Sequence, residues 1–455
     1  MDVNNSLQSF DLESIAQPEL GTRPAQSRGE LMSFKFISMS SHLMRVRVEI
    51  NQAVVALVYD QTVLFFKRKK IEGFDYQAAP KEFLEETFGP EIAKKIKAFF
   101  LHHHVIDGLM QELVAQKIPY ANQPRLANVE YVAGKSLFFF FDVSLTDPFS
   151  LKEWRDFSFK ASRRKRYKDL DKQVMQFMDQ ESVVYKKREV FEIEASDWVG
   201  IEACLLDEQE QSLSAAIKSF FWIKIKPEDL SDQISSLLYG KCVGDSFVTQ
   251  ALDLEEYSND ESAPYYNFCV TVISIVKGSH FSVELFKQTY RLKNKNDVHN
   301  KLMEVFSFRN ELSQRKTTIE DMFGLFMSKH RFEIPKHLII RRQESILDCV
   351  VRQADYQIYR SQPDFHDSIE LLAEKQLREE VLMDQIAYQE NISVEVRDMH
   401  QYLHLFNHRR LKEFVYFKPS IDCIDEHTPP INASLLEEAV LREKTLNYVL
   451  HVLTH

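Results

Sequence analysis

The chain has 455 residues, 44% hydrophobic and 27% charged, a globular balance that excludes a fibrous or wholly disordered protein. Its 68 acidic and 57 basic residues leave a net charge of −11, which argues against a surface built throughout for nucleic acid. With only 11 glycines, it has little material for the glycine-rich loops that cradle phosphates.

The length predicts about two to four domains. The five cysteines, Cys204, Cys242, Cys269, Cys349 and Cys423, are far apart and never spaced Cys-x-x-Cys. That pattern speaks against a disulfide framework or a structural zinc site and fits a reducing compartment. No run of 18 apolar residues or basic-then-apolar leader occurs. The expected setting is cytoplasmic, with no membrane partner.

Residues 1–30 are rich in Ser, Gln, Asn and Glu and read as a flexible tail. Arg45-Val46-Arg47-Val48-Glu49-Ile50 alternates as a half-buried strand does. Residues 51–68 read as either helix or strand. Pro80 predicts a helix start at about Lys81. Residues 91–117 read as a second helix, with Ile92, Ile96, Phe99, Phe100, Leu109 and Leu113 near helical spacing. Residues 129–132 and 136–145 predict a hairpin around Gly134-Lys135.

Residues 157–162 are expected to add a strand, followed by a helix carrying Leu170, Val174, Phe177 and Met178. Strands are predicted at 190–193, 198–206, 220–225, 247–251 and 268–276, the last rich in β-branched residues. From Phe281 onward the pattern is helical. Pro335 and Pro363 each stand near a helix start. Leu347, Val350, Ala354 and Ile358 form one stripe, and Ile369, Ala373, Leu377 and Val381 another. Ser393 is the expected cap of a helix with Val396, Met399, Leu403 and Phe406, and a last helix covers about 434–453. The fold class is α+β multidomain: a tail to 30, an α+β unit over 31–150, a linker strand and helix over 151–185, a β-rich unit over 186–279 and a helical body over 280–455.

His102-His103-His104 invites a metal reading. Consecutive helical side chains point about 100° apart, so the three cannot converge on one ion, and a surface or partly packed cluster is expected. Lys67, Arg68, Lys69 and Lys70 form one basic run and Arg163-Arg164-Lys165-Arg166-Tyr167-Lys168 another. Each is a solvated face or a polyanion contact. No nucleophile elbow, Walker loop or dinucleotide fingerprint occurs, and no cofactor, metal or nucleotide is expected. The run Phe138-Phe139-Phe140-Phe141 would need cover on both faces of a strand. Met303, Phe306, Phe308, Met322, Phe323, Phe326 and Met327 read as helical core or as an adaptable apolar surface.

The order of these parts resembles bacterial trigger factor. Ile71-Glu72-Gly73-Phe74 followed by Ala79-Pro80 and a helix is similar to that family's ribosome-docking segment. Asp197-Trp198-Val199 resembles the opening of its FKBP-like isomerase domain. Gly240-Lys241-Cys242-Val243-Gly244-Asp245 resembles that domain's Gly-x-x-x-Gly-Asp element. Phe332-Glu333-Ile334-Pro335-Lys336-His337-Leu338-Ile339 resembles the start of a helix in the chaperone body.

The resemblance implies an N-terminal ribosome-binding-like domain, an isomerase domain at one end and a helical cradle in the middle. It implies a chaperone that binds nascent or unfolded polypeptides without ATP. The implied ribosome-binding residues are Lys67, Arg68, Lys69, Lys70, Gly73 and Phe74. Asp75 and Ala78 depart from the family's loop, standing where Arg and Lys are expected. Leu230-Ser231-Asp232-Gln233 departs from the hydrophobic-Ile-Pro-Gly turn that floors an FKBP-like site. Phe220, Phe221, Trp222 and Phe247 are the candidates for a proline pocket, or else fill the β core. Alternative readings are an active peptidyl-prolyl isomerase and a basic-patch ribosome or RNA adaptor.

Overall fold

A computed structural model describes residues 31–68, 71–146, 151, 153–161, 169–185, 192–207, 209–214, 217–225, 233–250, 266–278, 281–309, 312–353, 355–408, 410–419 and 430–454. Strands β1 (Met32–Ser40) and β2 (Leu43–Ile50) form a hairpin, followed by helices α1 (Gln52–Lys67) and α2 (Lys81–Phe100). Residues 51–68 thus resolve as helix, capped by the Asn51 side chain, which accepts from the Ala53 amide. Helix α2 runs straight through Pro90, so the two expected helices are one. A π-helical turn, Leu101–Val105, joins it to α3 (Ile106–Ala115). Strands β3 (Arg125–Val132) and β4 (Ser136–Ser144) complete a four-stranded antiparallel sheet in the order β1-β2-β4-β3.

One face of this sheet packs on the helices. Val46, Val48, Phe139, Phe141 and Val143 point inward and join α1, α2 and α3 in one core. Phe138 and Phe140 lie on the other face. The cover expected there is in part an arginine: the Arg47 guanidinium lies 4.3 Å from the Phe138 ring centroid and bonds Glu49 at 2.9 Å. A long side chain can thus shield an aromatic ring while keeping its charge in water.

A 3₁₀ turn over Trp154–Asp156 stands near the expected linker strand, and residues 157–161 form none. Helix α4 (Leu170–Tyr185) follows. The second sheet comprises β5 (Trp198–Leu205), β6 (Lys218–Lys224), β7 (Ser246–Thr249) and β8 (Phe268–Val276), with a short helix α5 (Gln233–Leu238) before β7. Residues 192–194 are not strand, and 190–191 lie outside the described residues. Buried Asp197 ties both ends of this unit, accepting from the Glu194 amide at 2.8 Å, the Gly278 amide at 3.0 Å and Lys277 Nζ at 2.8 Å.

The helical body contains α6 (Val283–Tyr290), α7 (Lys295–Phe306), a two-residue hairpin β9 (Phe308–Arg309) and β10 (Leu312–Ser313), α8 (Gln314–Lys329), α9 (Lys336–Val351), α10 (Tyr356–Arg360), α11 (Phe365–Gln389), α12 (Val396–Asn407), β11 (Ile431–Asn432) and α13 (Ala433–Thr454). The cap of α12 is Glu395 rather than Ser393, in a capping box with Asp398. Strand β11 pairs with β6, so the second sheet has the order β11-β6-β5-β8-β7.

The second sheet is gripped from both sides, not set apart at one end. Ile201, Phe221, Phe268 and Val270 share the core of the first unit. Trp198, Trp222 and Val276 share a second core with α12 and α13. Ring and hydroxyl contacts fasten the seams: His103 Nδ1 to Ser219 Oγ at 3.2 Å, His400 Nε2 to Ser274 Oγ at 2.6 Å and His337 Nε2 to Ser144 Oγ at 2.9 Å.

Candidate functional site

The surface with the least internal explanation is the arm built by α9, α10 and α11. Pro335 sets the start of α9, holding extended backbone at its N-cap. Leu338 is the buried residue of α9, and α10 buries none. Ile340 is 53% exposed, Val351 52%, Ile358 63% and Leu371 67%, with Tyr359 and Leu372 exposed as well. Single exposed apolar residues are ordinary, but several large ones on three successive helices of one element mark a contact surface.

Below this tip, the arm is anchored. Ile369, Ala373, Leu377 and Val381 are buried, as their four-residue spacing predicts. Arg342 binds Glu380 through both guanidinium nitrogens, at 2.9 and 2.7 Å, linking α9 to α11. Arg442 of α13 reaches Asp384 at 2.7 Å and Glu380 at 3.5 Å. It also reaches Glu438 at 2.6 Å. Burial pushes the Asp384 and Glu438 carboxyls upward, against the pull of Arg442. Glu379 is pushed up to about 7, chiefly by burial, while the Tyr416 hydroxyl donating to it opposes the shift.

Beside the arm's root lies an open cleft of about 1220 Å³, with Tyr290, Lys301, Arg315, Glu443 and Lys444 among its lining residues. Arg315 at its floor donates to Phe414 O at 3.0 Å, Glu443 at 3.0 Å and Asn447 at 2.7 Å. Arg315 and Glu443 are thus spent on one another, and apolar side chains such as Leu292, Leu405 and Val440 share the cleft's lining with them.

Met303, Phe306, Met322, Phe323 and Phe326 are buried core, so the reading of these residues as an adaptable surface is corrected. The side chain of Phe308 lies outside the described residues, and Met327 packs against the core that holds Phe326. The exposed apolar residues stand elsewhere. Of the predicted stripe, Leu347 and Val350 are half-buried and Ile358 is exposed, while Ala354 is outside the described residues. The signal that pointed to the rest was present: Leu371 and Leu372 are apolar but off the buried stripe of their helix.

In the first unit, Lys67 ends α1 and Arg68 follows it; Lys69 and Lys70 lie outside the described residues, as does the run 163–168. Gly73 turns the loop with φ +89, a conformation that glycine adopts without strain. Phe74 is partly exposed and packs 4.8 Å from the Phe83 ring. Tyr76, at the loop's tip, is 72% exposed. The loop is thus presented to solvent on a fixed aromatic hinge.

The four pocket aromatics do not converge. Phe221 faces the first unit, edge-on to His103 at 5.3 Å. Phe220 and Trp222 face the helical body. Gly200 leaves room beside Trp222: a Cβ there would meet its ring at 3.3 Å. Phe247 packs on the first core, with Lys241 Nζ 5.0 Å from its centroid. Residues 226–232, which hold most of the altered turn, lie outside the described residues. Gly244 donates to Val272 O at 2.8 Å and Val272 to Asp245 O at 2.9 Å, so the Gly-x-x-x-Gly segment leads into a strand as its pattern implies.

The histidine turn is more buried than expected. His103 and His104 are both 4% exposed, and no group of three metal-ligating side chains occurs among the described residues. No described helix is long and apolar enough to cross a membrane.

An arm on an anchored root and two larger antiparallel sheets define a mixed α+β protein. Residues 287–408 match the family model described as bacterial trigger factor protein (TF) C-terminus. That segment, which contains the second half of α6 and all of α7 through α12, is similar to the trigger factor C-terminal region. It is also similar to a solved structure reported as "Promiscuous Substrate Recognition in Folding and Assembly Activities of the Trigger Factor Chaperone". The identity is 15%, over 92% of this chain and 99% of that one, with a TM-score of 0.35. No curated protein matches the chain.

Proposed function

We propose that the protein is a chaperone that binds unfolded polypeptides on its α9–α11 arm without ATP. The observation that carries this reading is the set of exposed Ile340, Val351, Ile358, Tyr359, Leu371 and Leu372 within the segment that matches trigger factor. Apolar side chains spread over separate helices favour many weak contacts over one shaped pocket, which suits clients of varied sequence. The seam at Arg342, Glu380, Asp384 and Arg442 holds the arm's root in place while the tip stays wet.

The ribosome exit tunnel is the proposed place of action, with nascent chains as clients and the cytoplasm as compartment. The solvent-facing loop at Gly73, Phe74 and Tyr76, beside Lys67 and Arg68, supports that part of the reading. The test is aggregation of a refolding client in the absence of nucleotide. The purified chain at equimolar to several-fold excess is expected to slow light scattering. No effect at several-fold excess contradicts the proposal. Pelleting with ribosomes at low and high salt tests the docking loop, and Phe74→Ala with Tyr76→Ala is expected to weaken it.

A further inference from the structure

The histidine turn has no part in polypeptide binding by the arm, yet it is built into the seam between the first unit and the second sheet. The π-helical geometry of Leu101–Val105 turns His103 and His104 into that seam together. His103 stacks on Phe268 of β8, with ring centroids 5.2 Å apart and planes at 11°, and on Phe99 of α2 at 4.9 Å. Its Nδ1 meets Ser219 Oγ of β6. His104 packs edge-on to Phe99 at 5.4 Å, and its buried Nε2 has no hydrogen-bond partner. Asn432 of β11 clasps the same turn from the third side, donating to His102 O at 2.9 Å.

We propose that this turn is an acid-sensitive latch: protonation of His103 and His104 releases the first unit from the second sheet. A proton on His103 places a cation among Phe99, Phe221 and Phe268, and one on His104 places it against Phe99 and Phe100; a buried unpaired charge is strongly disfavoured. Among the described residues, no carboxylate acts as a counter-charge on either ring. On the turn itself, His102 and His104 repel a charge on His103. On α2, Lys95 has the wrong sign. On β6, Lys218 is held by Glu202 at 2.8 Å. On α3, Asp107 accepts from the Ser434 amide at 2.8 Å. On α13, Glu438 is held by Arg442. Tyr266, before β8, shares its hydroxyl with Thr62 at 2.8 Å.

Burial first, and then its two histidine neighbours, hold His103 well below its ordinary value; burial alone holds His104 down at about 3. Both groups therefore favour the closed state above about pH 6.5, the ordinary histidine value, and that preference is lost as pH falls toward the depressed values. Each proton taken up only on opening shifts the equilibrium about tenfold per pH unit. Two histidines give about a hundredfold per unit. Opening bares Phe99, Phe221 and Phe268, an apolar face that the closed chain hides.

The experiment follows the full chain from pH 7.5 to 4.5 by X-ray scattering and by amide exchange in Leu101–Val105 and β8, beside the variant His103→Gln/His104→Gln. The wild type is expected to expand, and its interface amides to lose protection, with a slope approaching two protons. The variant is expected to lose that slope. Equal expansion of both proteins at the same pH overturns the latch. Histidine ring NMR on the wild type gives a second reading that holds even where the variant does not fold. Signals of His103 and His104 that stay neutral until expansion support the latch. Signals that titrate near pH 6.5 without expansion overturn it.

Discussion

Two stretches of α11 treat their apolar surface differently. From Leu377 to Ala387, Leu377, Val381, Leu382, Met383 and Ile386 are buried against α8, α9 and α13. Six and five residues before Leu377, Leu371 and Leu372 are large, apolar and exposed, between buried Ile369 and Ala373. Composition does not separate Leu371 and Leu372 from Leu377 and Leu382; the presence of neighbours does. The root spends its apolar surface on stability, while the tip keeps its own unspent. A stable root is what lets a sticky tip exist without the arm collapsing onto the body.

The sharpest way to break this comparison is at the ionic seam of the root. Arg442→Met leaves Asp384 and Glu438 buried without their cation. It is expected to cost about 3–5 kcal/mol, read as a lowered urea midpoint. Leu382→Ala in the root opens a cavity beside α13 and is expected to cost about 2–5 kcal/mol. The same measurement on Leu371→Ala is expected to move stability by no more than about 0.5 kcal/mol. Similar losses at both positions would erase the distinction between root and tip.

Glu379 gives a pH-dependent reading of the root. Its carboxyl is raised to about 7 in the folded chain, so between about pH 4.5 and 7 the folded state holds a proton that the unfolded state has lost. Stability therefore falls as pH rises through that window, by about 1–3 kcal/mol. Glu379→Gln is expected to flatten that part of the stability profile. A variant profile parallel to the wild type would place the effect elsewhere. A small effect is expected at the covered sheet face, where Arg47→Ala uncovers Phe138 and costs about 0.5–1 kcal/mol.

The sequence makes the arm's frame legible because its signals are local. Pro335 and Pro363 stand near the starts of α9 and α11, and the stripe at Ile369, Ala373, Leu377 and Val381 marks the buried side. The strands of the second sheet are legible for the same reason, through β-branched runs such as Val270 to Val276. What is not legible depends on partners distant in the chain. His103 is buried by Ser219 and Phe268, more than a hundred residues away. Trp222 and Phe221 read together as a pocket, but adjacent strand residues face opposite sides, and each side here meets a different unit. Periodicity places Leu371 off the buried stripe, but it does not say whether anything covers that side.

The central claim is that the arm's exposed tip holds unfolded chains. Its most direct test is the double variant Ile358→Asp/Leu371→Asp, compared with the wild type for nucleotide-free suppression of client aggregation at equal concentration. The account predicts an unchanged urea midpoint, within about 0.5 kcal/mol, and loss of most of the suppression. A variant that folds as well and still suppresses as well as the wild type would contradict it.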